Sequence, residues 1–578
     1  MSTRSVKVWQ QKIVDDGLCE SISTKLNLPL PIISLMVQRD VLDVEQMVSF
    51  LRPTLDQLPC PFVMKGVEEA VSIILDAIKF DRKISIFADY DTDGVTAAAV
   101  LSLFLSSLGL DVRCYQPNRF VDGYGLNKTI LARIHEERKD GVIITVDCGI
   151  ADNEEIAEAR HLGFLVIVTD HHQPPVHLPP ANAIINPLQP DCRFPFKHLA
   201  GVGVAFYLVM ALRSRLAKNH FWQQEADIPN LKSYLDLVAV GTVADLVPLQ
   251  GPNRILVKAG LEILSTCRRP GLYALMTICG ITPENISAED ISFKISPRLN
   301  AAGRMGAADK ALELLIARDF SKAWELTASL EDDNRQRREL GEEVFREASL
   351  LGQELFLQGR NSLVLIGNDW HEGVIGIVTS RIVEHFFRPT ILLTLCDGTA
   401  RGSGRAIPGF NLYEAMTECS DLLKEYGGHE MAVGLTLKAK NLSAFVERFE
   451  QVASERISEH DLKPRLWIDR EINLAELMNH DFLRYYNQLS PFGMGNPEPV
   501  FTITADVSIE DVRIVGNNHL KLTVKDDKGK IWSGIGFGLG YQLSRIRNKT
   551  ANFAFSIRQK EFRGIRRWEL YIHDIRER

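Results

Sequence analysis

Asp89, Asp91 and Asp93 alternate through the stretch Asp89-Tyr90-Asp91-Thr92-Asp93-Gly94. Three carboxylates this close repel one another in a partly desolvated site unless a positive charge sits among them. A divalent cation is the simplest such charge, and hard oxygen ligands suit Mg²⁺ or Mn²⁺. Two plainer readings fit the same residues. One is an acidic turn in which Gly94 supplies the bend. The other is a Ca²⁺ loop of EF-hand type, although its closing Glu would fall at Val100 and the flanking strand is wrong for it.

Further acids arrive in the same way. Ile143-Ile144-Thr145-Val146 leads into Asp147, and Leu165-Val166-Ile167-Val168-Thr169 leads into Asp170-His171-His172. A single Asp after a strand is usually a cap or a loop residue. Three strands that each deliver Asp or Asp-His to one edge are hard to explain by capping. Asp245 is isolated in the apolar run Val240 to Leu249, where an unpaired carboxylate is costly and either a metal or a capping role would relieve it. Cys148, beside Asp147, reads as a small packing residue.

Other stretches could grip phosphate. Arg119 lies in the loop from Pro117 to Gly125, whose glycines permit close backbone approach. Arg298 and Arg304 flank Asn300 and small residues in a segment read as a loop, either structural or a phosphate clamp, since Arg forks bidentately onto phosphate oxygens. Gly402-Ser403-Gly404-Arg405 and Gly427-Gly428-His429 lie in a second α/β rhythm; the consecutive glycines of the latter expose backbone N–H groups that can cradle an anion, although His429 after them also reads as a plain loop residue.

These residues need a scaffold. Ile84 to Phe87 reads as a buried strand and Val95 to Leu108 as a buried helix, preceded by an amphipathic helix from Gly66 to Phe80. Strand-like runs follow at Val112–Tyr115, Val142–Val146, Leu165–Val168 and Ala183–Ile185. This alternation predicts a parallel sheet with helices on both faces, which binds ligands at the carboxyl ends of its strands. The expected fold class is α/β, divided into a helical layer at 1–55, a catalytic domain at 56–309, connecting helices at 310–358, a second α/β domain at 359–460 and a β-rich domain at 461–578. In the last, five or six short strands suggest a barrel of OB type, with Phe553, Phe555, Arg558, Lys560, Trp568 and Tyr571 among the residues shared between core and strand binding.

With 578 residues the chain exceeds a single core, and its 45% hydrophobic and 24% charged residues are ordinary for a globular protein. No apolar run is long enough to span a bilayer and the amino terminus has no signal-peptide core, so no membrane association and a cytoplasmic location are expected. Nine cysteines without a CxxC pair argue against a disulfide framework or a zinc ribbon. The net charge of -8 conceals a basic carboxyl-terminal stretch after Arg545.

Asp89-Tyr90-Asp91-Thr92-Asp93-Gly94, Asp147, Asp170-His171-His172 and Asp245, in this order, resemble the motifs of the DHH phosphoesterase superfamily. Length and the later motifs are similar to its RecJ family of single-strand-specific 5′-to-3′ DNA exonucleases, which release 5′-mononucleotides in recombination and repair. The resemblance implies two divalent cations, Mn²⁺ or Mg²⁺, with Asp91 and Asp93 as ligands, Asp147 as the bridge, and His171 and Asp245 completing the second site. It gives Asp89 and His172 a part as ligand, as phosphate contact or in orienting water. Adjacent residues of an extended segment point opposite ways, so one histidine is expected to bind metal, and motif order favours His171. Ser296 to Gly306 then corresponds to a motif near the active site. The segments at 402–405 and 427–429 correspond to the DHH-associated substrate-binding domain. Implied partners are single-stranded DNA, single-stranded-DNA-binding protein and a RecQ-type helicase. The rival readings are a small-substrate DHH phosphodiesterase, such as an oligoribonuclease or nucleotide phosphatase, and a catalytically inactive strand-binding replication factor.

Overall fold

The sheet that carries the acids is built around three central strands buried on both sides. In the computed structural model, which describes residues 7–117, 125–474, 476–503, 507–516, 518–526, 529–546, 551–562 and 565–577, the chain forms two compact units. One comprises Val41–Arg335 with Asn487–Pro497, the other Met1–Asp40, Gln336–Tyr486 and Glu498–Arg578.

In the first unit, β1 (Ile84–Ala88), β2 (Val112–Tyr115), β3 (Gly141–Val146), β4 (Phe164–Thr169) and β5 (Ala183–Ile185) form one sheet in the order β2-β1-β3-β4-β5. All its pairings are parallel, as the alternation of strands and helices predicts. Side chains alternate across it. Ile84, Ile86, Val142, Ile144 and Val146 join the core that includes helices Val67–Lys79, Thr92–Ser107, Gly201–Lys218 and Leu235–Ala244. Phe87, Ile143, Val166 and Val168 pack with helices Lys128–Arg138 and Asn153–His161 on the other face. Neighbouring strands β1 and β3 are joined to the rest in opposite directions, so the strand order reverses between them. A crevice forms at such a switch point, beyond the carboxyl ends of the strands.

Two expectations are corrected here. The helix after β1 starts at Thr92 rather than Val95, because the Asp91 carboxylate accepts hydrogen bonds from the N–H groups of Asp93 and Gly94 and caps it. The segment around Arg298, read as a loop, is helix Ser296–Arg304, with Pro297 in its first turn where no N–H is required.

The stretch without proline after Lys310 is helical as predicted, in Asp309–Ile316 and the 38-residue helix Phe320–Leu357. The second unit contains a five-stranded mixed sheet in the order Leu423–His429, Ala432–Lys438, Thr399–Arg405, Thr390–Cys396, Leu363–Asn368. It also contains a seven-stranded sheet, more strands than expected, in which Ala551–Phe562 and Ile565–Glu577 form a long hairpin. The amino-terminal layer, read as helical, contributes a strand too: Val8–Gln11 pairs in parallel with Arg465–Ile468.

Candidate active site

Each acid of the first unit reaches the crevice by a short, well-defined route. Asp89 follows β1 directly, and its Oδ1 accepts from the Tyr90 N–H at 2.7 Å. Asp91 uses Oδ1 for the helix cap. Asp93 is fully buried and accepts at both oxygens from the first turn of helix Gly201–Lys218, from Gly201 N at 2.6 Å and Val202 N at 2.8 Å. A helix N-terminus favours negative charge, which fixes Asp93 in place. Asp147 follows β3 with φ of 60°, a left-handed conformation that Asp and Asn adopt more readily than most residues. Asp245 is the C-cap residue of helix Leu235–Ala244.

These side chains converge. His171 Nε2 lies 3.1 Å from Asp147 Oδ1, 3.5 Å from Asp245 Oδ2 and 4.0 Å from Asp93 Oδ2. Three overlapping groups present ligand atoms within 4.8 Å of one another: Asp89, Asp91 and Asp147; Asp93, His171 and Asp245; and Asp147, His171 and His172. The residues fit divalent cations by a direct structural criterion. Asp147 Oδ1, His171 Nε2 and Asp245 Oδ2 are buried without a hydrogen-bond partner, and unsatisfied polar atoms at such depth are costly unless something coordinates them. An oxygen-rich set with imidazole and no thiolate suits Mn²⁺ or Mg²⁺. Asp147 and His171 each occur in two of the three groups, and of the two only the carboxylate has a second oxygen with which to reach a second cation.

The titration behaviour follows from the crowding. Burial, reinforced by the charge of Asp91, pushes Asp89 up to about 8 and Asp93 up to about 7. Burial and then Asp93 push Asp245 up to about 9, and the same two causes raise Asp147 well above the carboxylate range. Burial and the neighbouring His172 pull His171 down to about 4, leaving a neutral ring able to act as a ligand. Burial opposes charge on His172 as well, but the Asp170 carboxylate outweighs it and lifts His172 to about 9.

The two histidines do not diverge as expected of an extended segment. Their ring centroids are 4.5 Å apart, and His172 Nδ1 is 4.0 Å from Asp147 Oδ1. The strand has already ended at Thr169, and Asp170 Oδ1 accepts from the backbone N–H of both His171 and His172, which curls the chain and brings the rings together. The same oxygen lies 2.8 Å from His172 Nδ1, while Asp170 Oδ2 accepts from Ile150 N. Asp170 therefore orients both histidines, a role that the order of the motif alone does not reveal.

Two glycines missed in the sequence are also part of the site. A Cβ on Gly201 would stand 2.7 Å from Asp147 Oδ1, and one on Gly241 would stand 3.0 Å from Asp93 Oδ1 and 2.2 Å from Thr96 Oγ1. Gly201→Ala is expected to weaken Mn²⁺ binding by roughly tenfold to a hundredfold, the scale of a displaced ligand support. Calorimetric titration checks this, and unchanged affinity would remove Asp147 from the site.

The residues proposed to hold phosphate are distributed between the units. Asn300 Oδ1 accepts from Thr92 N at 2.7 Å and Thr92 Oγ1 at 2.8 Å, so it braces the acidic loop. Arg298 is held by Glu331 and by the Lys294 carbonyl oxygen. Arg304 ends the same helix. Arg119 lies outside the described residues. In the second unit Ser403 and Arg405 share strand Thr399–Arg405, and Arg405 Nη1 donates to Ser403 Oγ at 2.8 Å and to the Gly404 carbonyl at 2.7 Å. Both border Gly376 in helix Glu372–Phe386, where an added Cβ would meet each at 3.3 Å. Gly427, Gly428 and His429 form the exposed end of strand Leu423–His429, which pairs with Ala432–Lys438. Phe553 and Phe555 are fully buried and belong to the core share of these aromatics, whereas Tyr571 carries the Arg558 guanidinium 3.9 Å over its ring.

Comparison with known proteins identifies the family. Residues 83–242 match the DHH family N-terminal domain, 359–455 the DHHA1 domain and 468–574 the RecJ OB domain. The single-stranded-DNA-specific exonuclease RecJ of Salmonella typhimurium is 38% identical over 528 residues, covering 89% of this chain and 90% of its own. The chain belongs to the RecJ family. RecJ of Bacillus subtilis is also 38% identical, and the chain covers 66% of that longer protein. RecJ of Thermus thermophilus, solved in complex with Mn²⁺, superposes with a TM-score of 0.82 at 30% identity, covering 99% of this chain and 80% of that one. Its complex with Mg²⁺ gives a TM-score of 0.75 at 29% identity, with coverage of 99% and 78%.

Proposed function

We propose that this chain is a divalent-cation-dependent exonuclease that degrades single-stranded DNA from the 5′ end to 5′-mononucleotides, in DNA recombination and repair. The observation that carries the reading is the convergence of Asp147 Oδ1, His171 Nε2 and Asp245 Oδ2, buried and without hydrogen-bond partners, among the acids of the RecJ motifs. Two cations, Mn²⁺ or Mg²⁺, would be held by Asp91, Asp93, Asp147, His171 and Asp245. Bound there, they would supply Lewis-acid polarisation of the phosphate and a water acidified enough to attack it.

The remaining steps belong to the chain's own side chains. Asp93, fixed by the N–H groups of Gly201 and Val202, and Asp147, held at its special backbone angle, keep the ligand set rigid. Asp170 engages His172 Nδ1 and, in the metal-free protein, lifts the ring to about 9; in its protonated form the ring can offer Nε2–H to a phosphate oxygen. Its side chain is 47% exposed, in keeping with contact to substrate. Asp89, lifted to about 8 by burial and Asp91 in the metal-free protein, is ionised once cations offset the charge of its neighbours, and its carboxylate can then orient the attacking water.

Arg119, Asn300, Arg298 and Arg304 are proposed near the scissile phosphate. Asn300 acts through Thr92, and Arg298 would have to exchange Glu331 for a phosphate. Ser403, Arg405, Gly427, Gly428 and His429 are proposed to hold the strand. Arg405 is aimed by Ser403. The family resemblance supports a cytoplasmic location and partnership with single-stranded-DNA-binding protein and a RecQ-type helicase. Among the described residues no helix is long and apolar enough to cross a membrane.

The test is digestion of 5′- and 3′-labelled single strands and blunt duplexes with Mn²⁺, Mg²⁺ or chelator. Single strands should lose 5′ label first, as mononucleotide, and chelator should stop the reaction. Efficient digestion of blunt duplex or earlier release of 3′ label would overturn the reading. Arg405→Ala should erase an advantage of 5′-phosphate over 5′-hydroxyl strands of about tenfold to a hundredfold in kcat/KM, the worth of one charge-assisted contact. Equal loss on both substrates would restrict Arg405 to holding the backbone.

A further inference from the structure

The segment Asn487–Pro497 is separated from the catalytic sheet by hundreds of residues of sequence, yet it belongs to the same compact unit. It folds around the buried Asn496, whose Nδ2 donates to the carbonyl oxygens of Leu489 and Pro491, each at 2.8 Å. The segment lies against the loop Leu246 to Gln250, which directly follows Asp245. Leu249 N donates to the Met494 carbonyl at 2.7 Å, and Gln250 Nε2 donates to the Gly495 carbonyl at 3.0 Å. Cβ atoms added to Gly493 and Gly495 would meet the side chains of Leu249 and Pro248 at 2.8 and 2.9 Å, so contact along the loop is close.

Arg254 clamps the other end. Its side chain is almost wholly buried and lies 3.9 Å over the Phe50 ring. Its guanidinium donates to the carbonyl oxygens of Phe50, Gln488, Ser490 and Pro491. A buried arginine is tolerated only when its donors are satisfied, and three of these four acceptors belong to the segment. Beside it, Asn253 Nδ2 donates to Pro248 O at 3.0 Å and to His198 O at 2.6 Å. That bond links the Asp245 loop to the stretch leading into Gly201, the residue that holds Asp93 and abuts Asp147.

We propose that Asn487–Pro497, clamped through Arg254 and Gln250, is a positioning element of the metal centre: it holds the Leu246 to Gln250 loop and thereby the Asp245 carboxylate. The inference rests on the metal reading above, and it makes Arg254 and Gln250 positioning residues that touch neither cation nor DNA. Removing the chain from about Lys463 onward would then disturb the catalytic unit as well as remove the strands of the carboxyl-terminal sheet.

The test is Mn²⁺ binding to the full chain, read by electron paramagnetic resonance without DNA, for wild type, Arg254→Met, Gln250→Ala and Arg138→Met. Gln250→Ala removes one hydrogen bond, so a folded variant is available even if Arg254→Met is not. Arg138 is a matched control, a buried arginine paired with Asp111 at the amino ends of β1 and β2, the opposite edge of the sheet. Arg254→Met, or Gln250→Ala if that alone folds, should weaken Mn²⁺ binding about tenfold, the scale for a support of a metal ligand. Arg138→Met should lower Tm and leave Mn²⁺ affinity unchanged. If every folded segment variant binds Mn²⁺ like wild type, whatever its Tm, the segment only stabilises the fold and the proposal fails. Absence of Mn²⁺ binding by wild type would instead overturn the metal reading, and this inference with it.

Discussion

Asp147→Asn is expected to lower hydrolysis of single-stranded DNA roughly a thousandfold or more, the scale on which one indispensable group acts, without unfolding the protein. Asp147 appears in two of the three groups able to hold a cation, and its Oδ1 has no hydrogen-bond partner to supply the compensation that a cation would. The amide keeps the shape but not the negative charge. Asn is a better probe than Ala because φ at this position is 60°. A left-handed conformation costs roughly 1–2 kcal/mol for an ordinary residue, and Asn bears it more readily. Loss of activity then reports the carboxylate rather than backbone strain. Circular dichroism and thermal melting check the fold, and turnover at saturating Mn²⁺ checks the role. Near-normal turnover would remove Asp147 from the chemistry.

The second large effect is the dependence of both metal binding and stability on pH. In the unfolded chain these acids titrate near about 4, whereas in the folded protein without metal Asp93, Asp89 and Asp245 hold their protons to about 7, 8 and 9. The folded state binds more protons across that interval. The stability linked to these groups is complete below about pH 4 and is lost as pH rises through 7 to 9. In chelator, Tm should fall steadily across this window. Cations require the deprotonated acids, so Mn²⁺ affinity should rise with pH, by up to about tenfold per unit for each proton released. Added Mn²⁺ should therefore raise Tm most at the alkaline end. Differential scanning fluorimetry with and without Mn²⁺ measures this, and calorimetry in buffers of different ionisation enthalpy counts the protons. A pH-independent Mn²⁺ affinity would contradict the raised pKa values of these acids or their role as the binding site, and Asp147→Asn, tested in the same titration, separates the two.

The strands and their terminal acids are legible in the sequence because the signal is local. A short apolar run that stops at Asp89, Asp147 or Asp170 tells both that a strand ends and that a charge waits at its edge. Asp245 stands out for the converse reason, as one charge in an apolar run. What is not legible depends on contacts between distant elements. No periodicity indicates that Gly201 faces Asp147, or that Asn300 is engaged by Thr92. The pairing of Arg298 with Glu331 is likewise invisible until the helices are packed. The divergence expected of the two histidines fails because alternation holds only while the chain is extended, and Asp170 ends that condition by binding both of their N–H groups. Phe553 and Phe555 alternate correctly for a strand, but alternation does not say which side is covered, and both are buried. The segment Asn487–Pro497 is the largest omission, since nothing in its own residues announces that it completes a unit built mainly from Val41–Arg335.

The most direct test of the central claim is anomalous diffraction at the manganese edge from crystals of the full chain grown with Mn²⁺. Two peaks are expected among Asp89, Asp91, Asp93, Asp147, His171 and Asp245, with Asp147 in contact with both and Asp170 with neither. A single peak would contradict the two-cation centre. Absence of any peak within this cluster, in a protein that hydrolyses single strands in the same buffer, would contradict the assignment of the active site altogether.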